Sequence, residues 1–89
     1  MHLEIITPDK TLFEGEIESV TLPGSKGSFQ VLKNHAALIS SLSEGKIKYK
    51  QNDSVHEIMI YKGMVEVLKN DIIVLVESLV STDEEALTS

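Results

Sequence analysis

Turn-forming residues cut this chain into short β-branched runs from one end to the other, and that punctuation limits what it can become. Leu3 to Thr7 stops at Pro8-Asp9, and Thr11 to Phe13 ends at Glu14-Gly15. Ile17, Val20, Thr21 and Leu22 make a third run. It closes on Pro23-Gly24-Ser25-Lys26-Gly27, where two glycines and a proline each disfavour regular structure. Phe29 and Val31 then alternate with Ser28 and Gln30, as in a half-buried strand. Leu38 to Leu42 is the next run and ends at Ser43-Glu44-Gly45. Runs this short, with turn signals between them, predict an all-β domain. The expected form is a flattened two-sheet β-sandwich or barrel of about eight to ten short strands.

The second half sharpens that expectation. Lys46-Ile-Lys-Tyr-Lys50 is the cleanest alternation in the chain: Ile47 and Tyr49 point one way and the three lysines the other. Gln51-Asn52-Asp53-Ser54 is a turn, and Ser54 to Tyr61 returns as the hairpin partner. Lys62-Gly63 interrupts. Met64 to Leu68 and Ile72 to Val76 are the last two strands, joined at Lys69-Asn70-Asp71. These late strands carry apolar residues on both faces. Ile58 and Ile60 oppose Met59 and Tyr61; Val65 and Val67 oppose Met64 and Leu68; Ile72, Val74 and Val76 oppose Ile73 and Leu75. One set lines the core. The other either meets a partner, as large exposed apolar patches commonly do, or is covered within the chain by the tail or by barrel-like closure.

Composition narrows the function. At 89 residues one domain is expected, and 42% hydrophobic content supports a globular core built almost wholly from aliphatic side chains. Cysteine is absent, which excludes disulfides and cysteine-based zinc sites. Acidic residues outnumber basic ones 14 to 8 and the net charge is −6, the wrong sign for displacing counterions from nucleic acid. No apolar run approaches the roughly 18 residues that would span a bilayer, so direct membrane insertion is not expected. The chain opens directly in alternating sequence without a signal-peptide pattern.

No catalytic chemistry is legible. His2, His35 and His56 lack the local spacing of a zinc site, no serine sits in a nucleophile elbow, and Gly24-Ser-Lys-Gly27 is too short for a phosphate-binding loop. His35 reads either as a turn-edge histidine bonded to backbone or as a contact residue at an interface. Residues 1–80 are expected to form the sandwich and 81–89 an acidic tail. Thr82 and Glu85 in that tail have the spacing of a capping box, the start of a helix the chain does not complete.

Four blocks together resemble the β-sandwich domain of the epsilon subunit of rotary ATP synthases. They are His2-Leu-Glu-Ile-Ile-Thr-Pro8 with Leu12-Phe13-Glu-Gly15; Gly27-Ser-Phe-Gln-Val-Leu-Lys-Asn-His-Ala36 with Leu38; Leu42-Ser-Glu-Gly-Lys-Ile47; and Gly63-Met-Val-Glu-Val67 followed by Asn70-Asp71 and Val74-Leu75. Three departures stand out. Lys33-Asn34 replaces the family's usual Pro-Gly, Ala37 its usual proline, and Lys62-Gly63 its usual Gly-Gly. Asn34 tolerates positive φ, so the turn can survive.

The resemblance implies a non-catalytic rotor subunit of the central stalk, without a cofactor, that bridges the gamma subunit and the c ring and couples proton flow to ATP synthesis. It would touch the catalytic alpha/beta head only indirectly. It would lie peripherally at the cytoplasmic face of the bacterial plasma membrane. Carried over by position, His35, Ser40, Tyr61, Glu66 and Ile73 would face gamma. The stretch holding Ser25, Lys26, Gly27, Ser28, Gln30, Lys33 and Asn34 would face the ring, with Ser28 where many relatives have Glu. The family commonly adds two C-terminal helices that regulate hydrolysis and can bind ATP. This chain ends where they would begin, either as a naturally short form or as a truncated one, and is expected neither to bind ATP nor to inhibit through its tail. The competing reading, from another class, is a stand-alone sandwich binding a small ligand such as a sugar. It would need aromatic platforms, and the chain has two Tyr, two Phe and no Trp.

Overall fold

A computed structural model describes residues 1–79, and the tail expectations for Thr82, Glu85 and the rest of 81–89 lie outside them. The described residues form eight strands and no helix. They are β1 (His2–Ile6), β2 (Thr11–Glu16), β3 (Ser19–Gly24), β4 (Gly27–Val31), β5 (Leu38–Leu42), β6 (Gly45–Gln51), β7 (Ser54–Leu68) and β8 (Asp71–Leu79). The all-β expectation holds, at the lower end of the expected strand number. The ladder runs β2-β1-β8-β7-β5-β3-β4, with β6 inserted between β7 and β3. All pairings are antiparallel except β1 with β8, where His2 to Ile6 run parallel to Asp71 to Leu75.

The ladder folds back on itself around one core. Leu3 and Ile5 of β1 share a buried cluster with Val20 and Leu22 of β3, Val31 of β4 and Ile47 of β6. Strands from both ends of the order can meet this way only if the sheet doubles over. Two turns follow directly from their residues. Asn52 and Asp53 have φ of 51° and 66°, and Lys69 and Asn70 have 50° and 66°. Both are two-residue hairpin loops, closed by Gln51 opposite Ser54 and Leu68 opposite Asp71. Positive φ at both positions matches the twist of the flanking strands, and Asn and Asp accept it at low cost. The Lys46–Lys50 alternation is realised. Ile47 and Tyr49 are buried, while Lys46 and Lys48 reach Glu57 at 3.4 and 4.0 Å and Lys50 reaches Glu18 at 3.8 Å.

Two expectations are corrected. Ser54–Tyr61 and Met64–Leu68 are not separate strands. They form one strand of 15 residues, β7, with register shifts between Ile60 and Gly63. Its first part pairs with β6, and its last part pairs with β5 on one side and β8 on the other. Both Ile60 and Val65 are buried although they lie an odd number of residues apart. In a regular strand they would face opposite ways. At Tyr61-Lys62 two consecutive side chains are exposed, and the irregular pairing there resets the alternation. The second correction concerns Pro23 and Gly24, which belong to β3 and leave only Ser25-Lys26 as the turn. Pro23 has no N–H to give the ladder, but its carbonyl accepts from Ser43 N–H at 2.9 Å. A Cβ on Gly24 would stand 2.6 Å from the carbonyl oxygen of Gly27 and 2.8 Å from the Phe29 ring, which is why the hairpin can close tightly there.

Gly63 is required for a related reason. A Cβ there would stand 2.5 Å from the carbonyl oxygen of Leu75 on β8, far inside contact distance. Gly63→Ala should therefore push β7 off β8 and cost about 1–3 kcal/mol, the usual range for overpacking. Urea unfolding should show a lower midpoint with an unchanged slope.

Candidate functional site

Alternation fixes the outer face of β5, β7, β8 and β1. With Leu42, Val65, Val67, Ile72, Val74, Leu3 and Ile5 turned into the core, their neighbours must turn out. Five large aliphatic side chains are exposed together there: Ile39 at 68%, Leu68 at 50%, Leu75 at 47%, Met64 at 41% and Ile73 at 38%. Register places them side by side. Met64 is opposite Leu75, and Glu66 lies between Ile39 on one flank and Ile73 on the other. A shallow depression is lined by Ile39, Met64, Glu66, Ile73 and Leu75. The apolar second face expected from the late strands is present among the described residues.

One row of directly opposed residues crosses this face: Ile39, Glu66, Ile73, Glu4 and Glu14. Among the described residues Glu66 and Glu4 take part in no ion pair. Glu14 is different. His2 of β1 reaches it through Nε2 at 3.3 Å and reaches Glu16 through Nδ1 at 3.3 Å, and the Met1 amino group contacts Glu16 at 3.1 Å. Partial burial alone would lower the His2 pKa, but hydrogen bonds to Glu16 and Glu14 and their negative charge outweigh it and hold the pKa above its ordinary value. Hydrogen bonds from the Met1 amino group and from His2 hold the Glu16 pKa below its ordinary value.

The residues expected to face gamma are only partly brought together. Glu66 and Ile73 are adjacent at the centre of the face. Tyr61 is exposed at the β7 bulge, at one end of it. Ser40 has the parity of Leu38 and Leu42, so it turns away from the row, and its hydroxyl donates to the Ser41 carbonyl at 3.0 Å. His35 lies in the β4–β5 connection at the other end. Its amide donates to the Leu32 carbonyl at 3.1 Å, and its ring Nδ1 is 2.7 Å from the Ala36 carbonyl oxygen. Ile39, Met64 and Leu75 complete the face but are absent from the expected gamma-facing set. The parity of β7 and β8 already marked Met64 and Leu75. Ile39 needed the same reading of the Leu38–Leu42 run.

The stretch expected to face the ring is divided. Ser25, Lys26, Gly27 and Ser28 form the β3–β4 hairpin, pinned to β5 by Ser25 N–H to the Ser41 carbonyl at 3.0 Å and by Ser41 Oγ to Ser25 Oγ at 2.8 Å. Gln30 is exposed on β4. Lys33 and Asn34 lie past the far end of that five-residue strand, roughly 17 Å away at about 3.3 Å per residue. Asn34 has φ of 66°, as its side chain allows. It is held by Asn70: Asn34 N–H donates to Asn70 Oδ1 at 2.7 Å, and Asn70 Nδ2 donates to Asn34 Oδ1 at 3.2 Å. The Asn70 carbonyl also accepts from His2 N–H at 2.8 Å. Asn70 thus ties three segments together, a role its turn position in the sequence does not disclose.

No group of three or more His, Asp or Glu among the described residues is arranged to hold a metal ion. Phe13 and Tyr49 pack on each other with centroids 4.3 Å apart, and burial raises the Tyr49 pKa. No helix among the described residues is long and apolar enough to cross a membrane.

Residues 1–82 match the family model described as ATP synthase, Delta/Epsilon chain, beta-sandwich domain. The chain is 46% identical over 81 residues to an ATP synthase epsilon chain of Campylobacter jejuni, covering 90% of this chain and 63% of the relative. It is 45% identical over 82 residues to that of Sulfurimonas denitrificans, covering 91% and 63%. It is 40% identical over 78 residues to that of Nitratidesulfovibrio vulgaris, covering 88% and 58%. The match thus spans about three-fifths of the length of these relatives. Among solved structures, a chain of the Euglena gracilis mitochondrial ATP synthase (OSCP/F1/c-ring) superposes with a TM-score of 0.82 at 18% identity, covering 92% of this chain and 53% of that one. A chain of the Tetrahymena thermophila mitochondrial ATP synthase (central stalk/c-ring) gives 0.75 at 19%, covering 99% and 71%. At such identities the two structures support the fold.

The His2 cluster sets a pH signature. A raised His2 pKa adds stability below the unfolded value of about 6.5, lost as pH rises through the folded value. A lowered Glu16 pKa adds stability above the unfolded value of about 4.3, lost as pH falls through the folded one. His2→Ala should therefore destabilise most between about pH 5 and 6, with the difference shrinking toward pH 8. Urea midpoints of both proteins across this range check it.

Proposed function

This chain belongs to the delta/epsilon β-sandwich family of ATP synthases, and on that footing we propose that it is a non-catalytic rotor subunit of the central stalk, bridging gamma and the c ring. In this role it transmits torque between proton flow and the catalytic head without chemistry of its own. It works at the cytoplasmic face of the bacterial plasma membrane, held there by the complex. The observation that carries the reading is the exposed aliphatic face around Glu66 and Ile73, on a sandwich whose core is otherwise closed. Covering such a face contributes roughly 25 cal/mol per Å² of apolar area, before the cost of association is subtracted.

Gamma covers this face, with Tyr61 at one end and the His35 loop at the other. The ring side is the β3–β4 hairpin at Ser25, Lys26, Gly27 and Ser28, which is short, polar and fastened to β5. The competing small-ligand module is disfavoured because Phe13 and Tyr49, which could serve as a platform, are spent on packing against each other.

Two measurements test this. Ile73→Asp should leave the far-UV circular dichroism unchanged and weaken capture of purified recombinant gamma by at least about ten-fold, as expected for a charge introduced at an interface centre. Equal capture by the folded variant would count against the face. A cysteine at Ser28 should crosslink to one in the polar loop of the c subunit within the assembled enzyme. Crosslinking only in unassembled material would rule out the hairpin as the ring contact.

A further inference from the structure

Glu66 is placed unusually for an exposed carboxylate. Apart from the exposed Asp71 on one β8 diagonal, its neighbours along β7, on β8 and directly across on β5 are aliphatic: Ile39 and Ile73 opposite it, Met64 and Leu68 along β7, and Leu75 on the other diagonal. All five are exposed. Directly opposed side chains in a sheet sit about 5 Å apart, and the diagonal ones about 7 Å. In the free protein the carboxylate is hydrated. A partner seated on the aliphatic ring around it must strip that water. An ionised carboxylate left without a partner in such a place is strongly disfavoured, enough to cancel most of the gain from covering its neighbours.

We infer that the protein surface that docks on this face is aliphatic and carries a basic side chain, Lys or Arg, positioned to meet the Glu66 carboxylate. The inference rests on the reading that a stalk subunit covers the face, and it names the chemistry that subunit must present. The rest of the row has the same sign. Glu4 follows Ile73 and Glu14 follows Glu4, and among the described residues only Glu14 of these three carboxylates meets a basic side chain, His2. Lys62, at the bulge end of β7, is directed to Glu77 at 3.9 Å. With a net charge of −6 behind it, the face steers a basic surface toward itself and repels an acidic one. An anionic lipid surface is disfavoured by the same carboxylates.

The test uses purified recombinant gamma and measures its dissociation constant for wild type, Glu66→Gln, Glu66→Leu and Ile73→Asp. Urea midpoints confirm that each variant is folded, as expected for exposed positions. Glu66→Gln should bind at least about ten-fold more weakly, and Glu66→Leu should be no better. Alanine replacement of gamma's Lys and Arg residues one at a time should identify one whose loss is non-additive with Glu66→Gln. Binding by Glu66→Leu as tight as wild type or tighter, while Ile73→Asp still abolishes it, would overturn the basic contact and leave gamma docking intact. Unchanged binding by all three variants would remove the face itself and the inference with it.

Discussion

The sandwich depends on one strand changing faces partway along its length. In β7 the residues before the bulge send Ile60 into the core, and those after it send Val65 and Val67. A regular strand could not do both. The switch at Tyr61-Lys62, with Gly63 close against the backbone of β8, lets a single strand pair with β6 early and with β5 and β8 late. Without it, one half of β7 would show its valines to water and bury Met64, Glu66 and Leu68. The same event therefore builds the core and puts the aliphatic face outside.

The outer face inherits its precision from this arrangement. A sheet surface is stiff because each side chain is set by backbone ladders on both sides. Ile39, Glu66 and Ile73 stand in a straight row because β5 and β8 flank β7 in register. The parallel pairing of β1 with β8 extends the row to Glu4, and β2 extends it to Glu14. Asn70 holds the end of the sheet by bonding the His35 loop and the start of β1 at once. The proposed rotor role needs contacts that do not yield, and a docking surface on doubly paired strands suits that need better than one on loops.

Particular residues show where the sequence was legible. Lys46 to Lys50 could be assigned to faces by inspection, because alternation is local and the charges cannot be buried unpaired. Asn52-Asp53 announced its hairpin through residues that tolerate positive φ, and Asn70 did so at the second hairpin, where Lys69 adopts positive φ as well. The two-sided character of β7 and β8 was visible from the same alternation. Ser40 lies off the row because it shares the parity of Leu38 and Leu42, which a family position does not reveal. Pro23-Gly24 looked like loop because proline and glycine usually mark one. In the folded protein the missing proline donor is harmless there, and the glycine is needed for closeness to Gly27 and Phe29.

By itself the sequence determined the strand class, most turns, and the existence of a second apolar face. All of these rest on interactions between residues near one another along the chain. Which strands became neighbours was decided only by the tertiary structure. The parallel contact of β1 with β8 joins segments from opposite ends of the described chain, and its register has no local signature. The union of two apparent strands into β7 comes with a close approach of the Leu75 backbone to Gly63, a fact about β8 that no property of residues 54–68 contains. The isolation of Glu66 among Ile39, Ile73, Met64, Leu68 and Leu75 is likewise a product of register. Alternation dictates which way a side chain points, but only the pairing of distant strands decides what it points beside.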